Sequence, residues 1–184
     1  MAKKALRSAQ GTKDLMLTYR RSDSLEIRGY SDADFAGDRD DRKSTSGYVF
    51  TLAGGAISWR SSKQSIVASS TMYAEFIAAY EATGQVIWLK KFIPDLKVAD
   101  CIDNPLKMYC DNQPAVFYTH NNKSSKTIKP IEIKYYVVKG KIQNQTVSLE
   151  HIRTNDMLVD PLTKGLPPNV FMEHLAGMGL RERL

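Results

Sequence analysis

Four acidic side chains are the residues of this chain best suited to chemistry, and they are spaced along it as Asp32, Glu75, Asp111 and Asp160. Each falls where a strand or a helix should hold a side chain in a fixed direction. Carboxylates that converge without Cys or His ligands suit hard, oxygen-seeking cations, above all Mg²⁺. Four such anions would repel one another unless metal ions held them together. Since the chain around them is basic, which suits a polyanionic substrate, the pattern predicts a metal-dependent nuclease.

The positive charge of the chain is concentrated in one region. The sequence holds 26 lysines and arginines against 20 acidic residues, which gives a net charge of +6 and a pI of about 9.2. A basic surface alone is as consistent with simple solvation as with nucleic-acid binding. Residues 123–141, however, carry one acid and six lysines, which are Lys123, Lys126, Lys129, Lys134, Lys139 and Lys141. Such a cluster beside an acidic site predicts a phosphate-binding track, in which Lys123, Lys126 and Lys129 are the candidate substrate contacts.

Length and composition indicate one ordinary globular domain. The chain has 184 residues, of which 42% are hydrophobic and 25% are charged, and no apolar run reaches the roughly 18 residues of a membrane span. Its first residues lack the apolar stretch of a secretory signal. The only two cysteines, Cys101 and Cys110, argue against a disulfide framework. We therefore expect a cytoplasmic location with no membrane partner, and leave entry into the nucleus open.

The pattern of apolar residues predicts a mixed α/β fold. Period-two alternation predicts five strands, over residues 25–32, 48–52, 56–60, 106–110 and 147–151. Helical spacing predicts a long helix that begins at the caps of residues 69–71 and runs to about residue 91, before Pro94. Further helices are predicted after Pro114, over residues 131–142 and over residues 155–165. Trp59 and Trp88 are expected in the core.

The order of these elements brings the four acids together. Three meander strands are followed by a helix, a strand, two helices, a strand and a last helix, which predicts three antiparallel strands and then parallel strands in one sheet. Open sheets place ligand sites at strand ends. Asp32 and Asp111 lie at the ends of the first and fourth strands, Glu75 lies in the first long helix, and Asp160 lies near the last helix. The four carboxylates can therefore converge.

Seven stretches of the sequence resemble, in order, the RNase H domain that ends the polyprotein of plant copia-type retrotransposons. The similarity extends over nearly the whole chain. The stretches are Gly11–Asp14, Gly29–Asp38, Arg42–Tyr48, Ser58–Gln64, Ala74–Phe76, Cys110–Gln113 and Asp160–Lys164.

The resemblance implies a fold, an activity and a set of partners. It implies an RNase H-like fold of five strands with flanking helices over residues 24–166. Residues 1–23 would then be the remnant of a connection to an upstream reverse transcriptase, and residues 167–184 a C-terminal tail. The implied activity is hydrolysis of the RNA strand of an RNA·DNA hybrid by an endonuclease with two Mg²⁺ ions, for which Mn²⁺ could substitute. The implied partners are the hybrid and the reverse transcriptase of the parent polyprotein.

The resemblance also assigns roles to the four acids. Asp32 would bridge both metal ions, Glu75 and Asp111 would hold one of them, and Asp160 would hold the other. Asp34 competes with Asp32, since residues 32 and 34 point to the same side of a strand. The pattern of the family selects Asp32 and leaves Asp34 to a supporting or backbone-capping role.

Contacts to the RNA strand are expected beside the acids. Asn112 and Gln113, next to Asp111, are candidate partners for 2′-hydroxyl groups, which distinguish RNA from DNA. Ser70 and Thr71 could act in the same way, although helix capping is the alternative duty for them.

The histidines depart from the pattern of cellular RNases H. The sequence between His151 and Asp160 is too short for the mobile His-bearing loop of those enzymes, so we expect His151 to be packed or to face the surface. Pro130 and Tyr136 stand where many family members have His. If that His aids catalysis, turnover by this chain would be slow.

Two other functions compete with a nuclease. Integrases and transposases share the fold but use an Asp-Asp-Glu order, which the early position of Glu75 excludes. A domesticated or decayed copy, which kept the fold as a nucleic-acid-binding or protein-interaction module, is the main alternative. A generic basic binder of nucleic acid would leave the four acids unexplained.

Overall fold

A computed structural model describes residues 11–21, 25–38, 40–97, 105–120 and 130–182. Its strands are β1 (Leu15–Leu17), β2 (Arg28–Asp34), β3 (Thr45–Leu52), β4 (Gly55–Lys63), β5 (Leu106–Cys110), β6 (Val147–His151) and β7 (Leu180–Glu182). Its helices are α1 (Thr71–Asp95), α2 (Gln113–His120), α3 (Pro130–Gln143), α4 (Asp160–Thr163) and α5 (Pro168–Gly177), with a 3₁₀ turn at Thr154–Asp156.

The main sheet has five strands in the order β4-β3-β2-β5-β6. The pairs β2–β3 and β3–β4 are antiparallel, whereas β2–β5 and β5–β6 are parallel. Three meander strands followed by parallel strands is the predicted arrangement, so the predicted fold class is confirmed.

Both faces of this sheet are covered. Along β3, Val49 and Phe50 are fully buried on opposite faces, as alternation in a strand requires. Phe50 packs with Leu89 of α1 on one face, while Val49 packs with Met157 and Leu175 on the other. The strand is buried throughout because each of its faces meets a layer of helices.

Three predicted boundaries differ from the structure. Strands β3 and β4 extend well past the predicted strands into Ser- and Thr-rich residues, which pair by backbone hydrogen bonds without any hydrophobic alternation. Helix α1 continues to Asp95 because Pro94 falls in its last turn, where the Lys97 N–H still closes a turn on the Pro94 carbonyl at 2.9 Å. The predicted helix over 155–165 is split into the 3₁₀ turn and α4, since Pro161 starts a helix and cannot continue one.

The prediction for the two tryptophans is wrong. Trp59 is 58% exposed on β4, the edge strand of the sheet, and Trp88 is 48% exposed on the solvent side of α1, where it stacks on Phe92. The alternation of β4 and the helical turn of α1 put other residues inward. The prediction failed because it relied on residue type alone.

The two ends of the described chain pair with each other. Strand β1 runs antiparallel to β7 in a two-stranded sheet, and the Thr18 N–H donates to the Gly179 carbonyl at 2.8 Å. Leu175 and Met178 belong to the same buried cluster as Val49. None of the helices in the described ranges is long and apolar enough to cross a membrane. The Cys110 thiol is free and buried, and Cys101 lies outside the described residues.

Candidate active site

Strands β2 and β5 bring Asp32 and Asp111 to one edge of the sheet. The two strands are parallel, and their last paired residues are Tyr30 and Tyr109. Asp32 and Asp111 each follow two residues later in the same direction, so they leave the pairing at the same level. Asp32 is fully buried, whereas Asp111 is partly exposed just past the end of β5.

Glu75 reaches the same edge from the first turns of α1. The Ser70 hydroxyl caps this helix by accepting from the Tyr73 N–H at 3.3 Å. The buried Gln64 side chain donates to the Ala74 carbonyl at 2.9 Å, which ties the end of β4 to the turn that carries Glu75.

The Glu75 carboxylate is itself held at both oxygens. Its Oε1 accepts from the Ala33 N–H at 3.3 Å, beside Asp32 in β2. Its Oε2 accepts from the Cys110 thiol at 3.8 Å. The side chain is 3% exposed, so these contacts fix it inside the protein.

Asp160 is positioned by α4, which lies against β3 and β2. Gly47 pairs with Asp32 across the sheet, and a Cβ at this glycine would lie only 2.6 Å from Thr163 Cγ2. The missing side chain therefore lets α4 approach the sheet. The Thr163 hydroxyl donates to Asp32 Oδ2, and the Ser61 hydroxyl of β4 donates to the Leu162 carbonyl at 2.6 Å.

Lys164 joins two of the acids. Its Nζ lies 3.0 Å from Asp32 Oδ1 and 3.2 Å from Asp160 Oδ1. The contact to Asp160 has hydrogen-bond geometry, while the contact to Asp32 is an ion pair by distance only. Among the described residues, the fully buried Asp32 Oδ1 thus has a charged neighbour but no hydrogen-bond donor.

Asp111 is oriented from the segment that follows β6. The Thr154 hydroxyl donates to Asp111 Oδ2 at 3.0 Å, and His151 Nε2 lies 3.2 Å from the Asp111 carbonyl oxygen. His151 is exposed, which agrees with one of the two placements expected for it.

Burial and repulsion from neighbouring carboxylates raise the pKa of Glu75 and of Asp160. Burial, and then the nearby Asp32 and Asp111, raise the pKa of Glu75 from 4.5 to about 9. Burial and Asp32 also raise the pKa of Asp160, although Lys164 opposes this shift. Burial would lower the pKa of Lys164, but the carboxylates of Asp32 and Asp160 outweigh it and raise that pKa, so the ammonium stays charged.

These residues fit a hard divalent cation. Glu75, Cys110 and Asp111 each offer a ligand atom, and the three atoms lie within 4.8 Å of one another. Burial raises the pKa of the Cys110 thiol well above its usual range, which disfavours its thiolate form. The remaining donors are carboxylate oxygens, which suit Mg²⁺ or Mn²⁺. The raised pKa of Glu75 indicates a place for added positive charge.

Two of the four residues predicted to contact the RNA strand cap helices in the structure. The Asn112 side-chain oxygen accepts from the Ala115 N–H at 2.9 Å and so caps α2, while Gln113 is exposed at the first position of that helix. Ser70 caps α1, which is the alternative role that the sequence analysis gave it, and Thr71 is exposed beside it. Their contacts to RNA stay predictions.

The candidate phosphate contacts and Asp34 complete the set of predicted residues. Lys123, Lys126 and Lys129 lie outside the described residues. The Asp34 carboxylate packs against Gly37, where an added Cβ would lie 2.2 Å from Asp34 Oδ2. Asp34 therefore supports the turn after β2, and this contact is consistent with the choice of Asp32.

Sequence reasoning missed Lys164, Thr163 and Thr154 as parts of the site. Lys164 and Thr163 belong to the stretch Asp160–Lys164 that carried the resemblance, which was the available signal for them. Thr154 offers no such signal, because its contact to Asp111 depends on how the chain turns after β6.

Comparisons with known proteins agree with this fold. No protein-family model matches the chain. It is 39% identical over 175 residues to the retrovirus-related Pol polyprotein from transposon TNT 1-94 of Nicotiana tabacum, a match that covers 94% of this chain and 13% of that protein. It is 32% identical over 178 residues to the Pol polyprotein from transposon RE1 of Arabidopsis thaliana, covering 97% of this chain and 12% of that protein. The chain thus spans only a small part of these relatives.

Solved structures with the same fold are RNases H. LC11-RNase H1, in a crystal structure with an RNA/DNA hybrid, aligns with a TM-score of 0.53 at 16% identity, over 75% of this chain and 94% of that one. The N-terminal RNase H domain of rv2228c from Mycobacterium tuberculosis also aligns with a TM-score of 0.53, at 13% identity, over 82% of this chain and 96% of that one. The chain is therefore a homologue of one segment of the plant retrovirus-related Pol polyproteins, and its fold is that of the RNase H domains.

Proposed function

We propose that this domain is a divalent-metal-dependent endonuclease that hydrolyses the RNA strand of RNA·DNA hybrids. The observation that carries the proposal is the convergence of Asp32, Glu75, Asp111 and Asp160 at one edge of an RNase H fold. Buried like charges are costly, and a fold keeps them only where a further charge compensates them. The raised pKa of Glu75 supports a site built to receive cations.

The four carboxylates would hold the metal ions. Glu75 and Asp111 have ligand atoms within 4.8 Å of each other, and Asp32 and Asp160 both contact the ammonium of Lys164. Two Mg²⁺ ions held by these carboxylates would supply an activated water and charge stabilisation for the leaving oxygen of the phosphodiester.

The protein itself contributes rigidity. Asp32 is fixed by its strand and by the Thr163 hydroxyl, so its carboxylate cannot turn away from the site. Thr154 fixes the carboxylate of Asp111, which is the most accessible of the four. A site held in place before substrate binds does not have to reorganise during the reaction.

Substrate selection would depend on groups around the acids. Because the hybrid must be held along its backbone, we assign Lys123, Lys126 and Lys129 to phosphate contacts, which give affinity without sequence preference. Asn112, Gln113, Ser70 and Thr71 are the candidate contacts to the RNA strand. The solved RNase H1 that aligns with this chain contains an RNA/DNA hybrid, which supports this class of substrate. In the parent polyprotein, the hybrid would come from a reverse transcriptase domain.

Cleavage of a labelled RNA·DNA hybrid tests the proposal. We expect the wild-type chain to cut the RNA strand with Mg²⁺ or Mn²⁺ and to lose activity in EDTA, with no cleavage of a DNA duplex. Asp32→Asn and Asp111→Asn each remove a metal-binding charge with little change in volume, so both should abolish cleavage while circular dichroism shows an intact fold.

Asp34→Asn is the matched control. It removes a neighbouring charge of the same strand, but this carboxylate supports a turn, so the loss of activity should be clearly smaller. Undiminished cleavage by Asp111→Asn would remove that residue from the site. A wild-type chain that binds the hybrid but never cuts it would favour the alternative, a binding module derived from a nuclease.

A further inference from the structure

Arginine side chains surround a cavity at the end of the main sheet opposite to the four acids. This arginine cavity has a volume of about 400 Å³, and Arg20, Arg21 and Arg28 line it. We propose that it binds an unpaired nucleotide of a nucleic-acid strand, with the phosphate against the arginines and the base on the apolar floor. The inference rests on the proposed function in that nucleic acid is taken as the partner of this domain.

The arginine cavity lies at the starting ends of the strands whose other ends lead to the acids. Strand β2 begins at Arg28, which pairs across the sheet with Lys107 near the start of β5. Asp32 follows Arg28 by four residues, which corresponds to about 13 Å along a strand. None of the four acids lines the cavity, so it is a site separate from theirs.

The charge around the arginine cavity is strongly positive. Among the described residues that line it, Glu26 is the single acid. Two cations already compensate this carboxylate, because Arg28 Nη2 lies 2.8 Å from its Oε2 and Lys107 Nζ lies 3.0 Å from its Oε1. Within the described ranges, no ion pair involves Arg20 or Arg21. Both guanidinium groups can therefore bind an added anion.

The walls of the arginine cavity are held in place by the fold. The Arg20 N–H donates to the Ala53 carbonyl at 2.8 Å, which fixes the backbone of Arg20 beside the turn between β3 and β4. In this turn Ala53 and Gly54 have φ angles of 52° and 76°, as a tight two-residue hairpin requires. Gly177 of α5 has no side chain because an added Cβ would overlap Leu158 Cδ2. A cavity formed in advance has little ordering to do when a ligand binds.

Two kinds of lining group favour an unpaired nucleotide over other anions. The exposed arginines form the rim, and a guanidinium group matches a phosphate with two parallel hydrogen bonds. The floor is apolar and aromatic, since the buried Tyr30 and Leu52 line it together with Leu158. An intact duplex keeps its bases stacked inside and would leave this floor uncovered. An unpaired nucleotide can cover the floor with its base while its phosphate meets the rim.

Nuclear magnetic resonance of the ¹⁵N-labelled full chain in EDTA tests the inference. The probe is a single-stranded hexamer of thymidylate, which contains no RNA to be cut. We expect it to shift the amide signals of Arg20, Ala53, Gly54 and Gly177 in a saturable way. Because each amide signal reports its own surroundings, binding elsewhere on the chain does not obscure the result.

Substitutions of the rim should change the affinity measured from these signals in both directions. The double variant Arg20→Gln, Arg21→Gln should bind the hexamer at least about tenfold more weakly, because charge-assisted hydrogen bonds to phosphate are lost. Glu26→Gln should bind it more tightly, since Arg28 and Lys107 lose their carboxylate partner, and this variant keeps the test decisive if the double variant does not fold.

A variant with two other charges removed is the matched control. Lys91 and Lys97 are exposed in and just after α1, which covers the face of the sheet opposite to Tyr30. The double variant Lys91→Gln, Lys97→Gln should change the affinity of the hexamer by less than about twofold.

Several results would overturn the inference. They are an unchanged affinity in the double arginine variant, and signals of Gly54 and Gly177 that do not respond to saturating hexamer. Equally strong binding at these signals by a blunt RNA·DNA hybrid, by pyrophosphate or by a hexamer of glutamate would also overturn it, because none of these offers an unpaired base.

The inference and the proposed function can fail separately. A wild-type chain that cleaves hybrid in Mg²⁺, but whose arginine cavity does not respond to the hexamer, refutes the inference alone. A chain that binds the hexamer at the cavity but never cleaves hybrid refutes the nuclease and leaves the nucleotide site intact.

Discussion

Replacement of Glu75 by Gln should stabilise the protein when no metal is present. The Glu75 carboxyl is 3% exposed, and burial together with the neighbouring Asp32 and Asp111 raises its pKa from 4.5 to about 9. Gln has nearly the same shape and keeps the oxygen that accepts from the Ala33 N–H, but it never ionises. The substitution therefore removes the electrostatic cost of this carboxyl and little else.

The sign and size of the effect follow from proton linkage. Below pH 4.5 the carboxyl is protonated in both folded and unfolded chains, so the shift has no effect on stability. Between pH 4.5 and about 9 the unfolded chain releases a proton that the folded chain keeps, so the folded state loses about 1.4 kcal/mol per pH unit. The cost of Glu75 should thus be about 1 kcal/mol at pH 5 and about 3 kcal/mol at pH 7.

Urea unfolding in EDTA at several pH values measures this cost. At pH 7 Glu75→Gln should exceed wild type by about 3 kcal/mol, which for a chain of this size is a rise of about 6–12 °C in Tm. The difference should shrink toward pH 5. Glu173→Gln, at an exposed site of α5, is the matched control and should have almost no effect at any pH.

Addition of Mg²⁺ should reverse the ranking. A ligand that binds only the folded state stabilises it by about 4.1 kcal/mol at a concentration of 1,000 Kd, which exceeds the advantage of the variant at pH 7, and Glu75→Gln has lost one ligand of that ion. A Glu75→Gln variant that is less stable than wild type in EDTA, or whose advantage does not depend on pH, would refute the reasoning. The carboxyl would then be ionised and compensated in the metal-free fold.

Two further predictions concern the approach of α4 and the basic segment. Gly47→Ala should lower the free energy of unfolding in urea by about 1–3 kcal/mol and reduce cleavage, because its Cβ would crowd Thr163. Gly84→Ala is the control, since Gly84 has open space around it and the substitution should be neutral or stabilising. Equal stabilities of the two variants would contradict this account. Replacing Lys123, Lys126 and Lys129 together with Ala should weaken hybrid binding and lower the salt slope by about 0.7–0.9 per lost phosphate contact, while cleavage at saturating hybrid changes little. An unchanged slope in filter-binding titrations would show that these lysines do not contact the backbone.

The sequence predicted the mixed sheet and the positions of two acids along it from patterns that it records directly. Buried strands alternate, and Asp32 lies near the end of β2 while Asp111 directly follows β5. The polar extensions of β3 and β4 were not predictable in this way, since Ser and Thr residues that pair through the backbone leave no hydrophobic period. The exposed Trp59 shows the converse error, in which an apolar residue type was read as burial.

Contacts between distant segments were beyond any local pattern. Thr163 and Asp32 are 131 residues apart, and Lys164 meets Asp32 only because α4 folds back over β3. Spacing along the chain carries no information on such a pair. The only indication in the sequence was that Thr163 and Lys164 belong to a stretch that resembles a known family. That resemblance did not specify which residues they contact.

Two uncharged residues outside α4 explain how so short a helix can position Asp160. Helix α4 has four residues, too few to be stable without outside contacts. Its position depends on Gly47, which leaves room for Thr163, and on Ser61, which bonds the Leu162 carbonyl. Both residues belong to the antiparallel meander, far in sequence from Asp160. The meander strands β3 and β4 therefore position α4. Changes in β3 or β4 should displace Asp160 before they disturb Asp32, because Asp32 is held by its own strand.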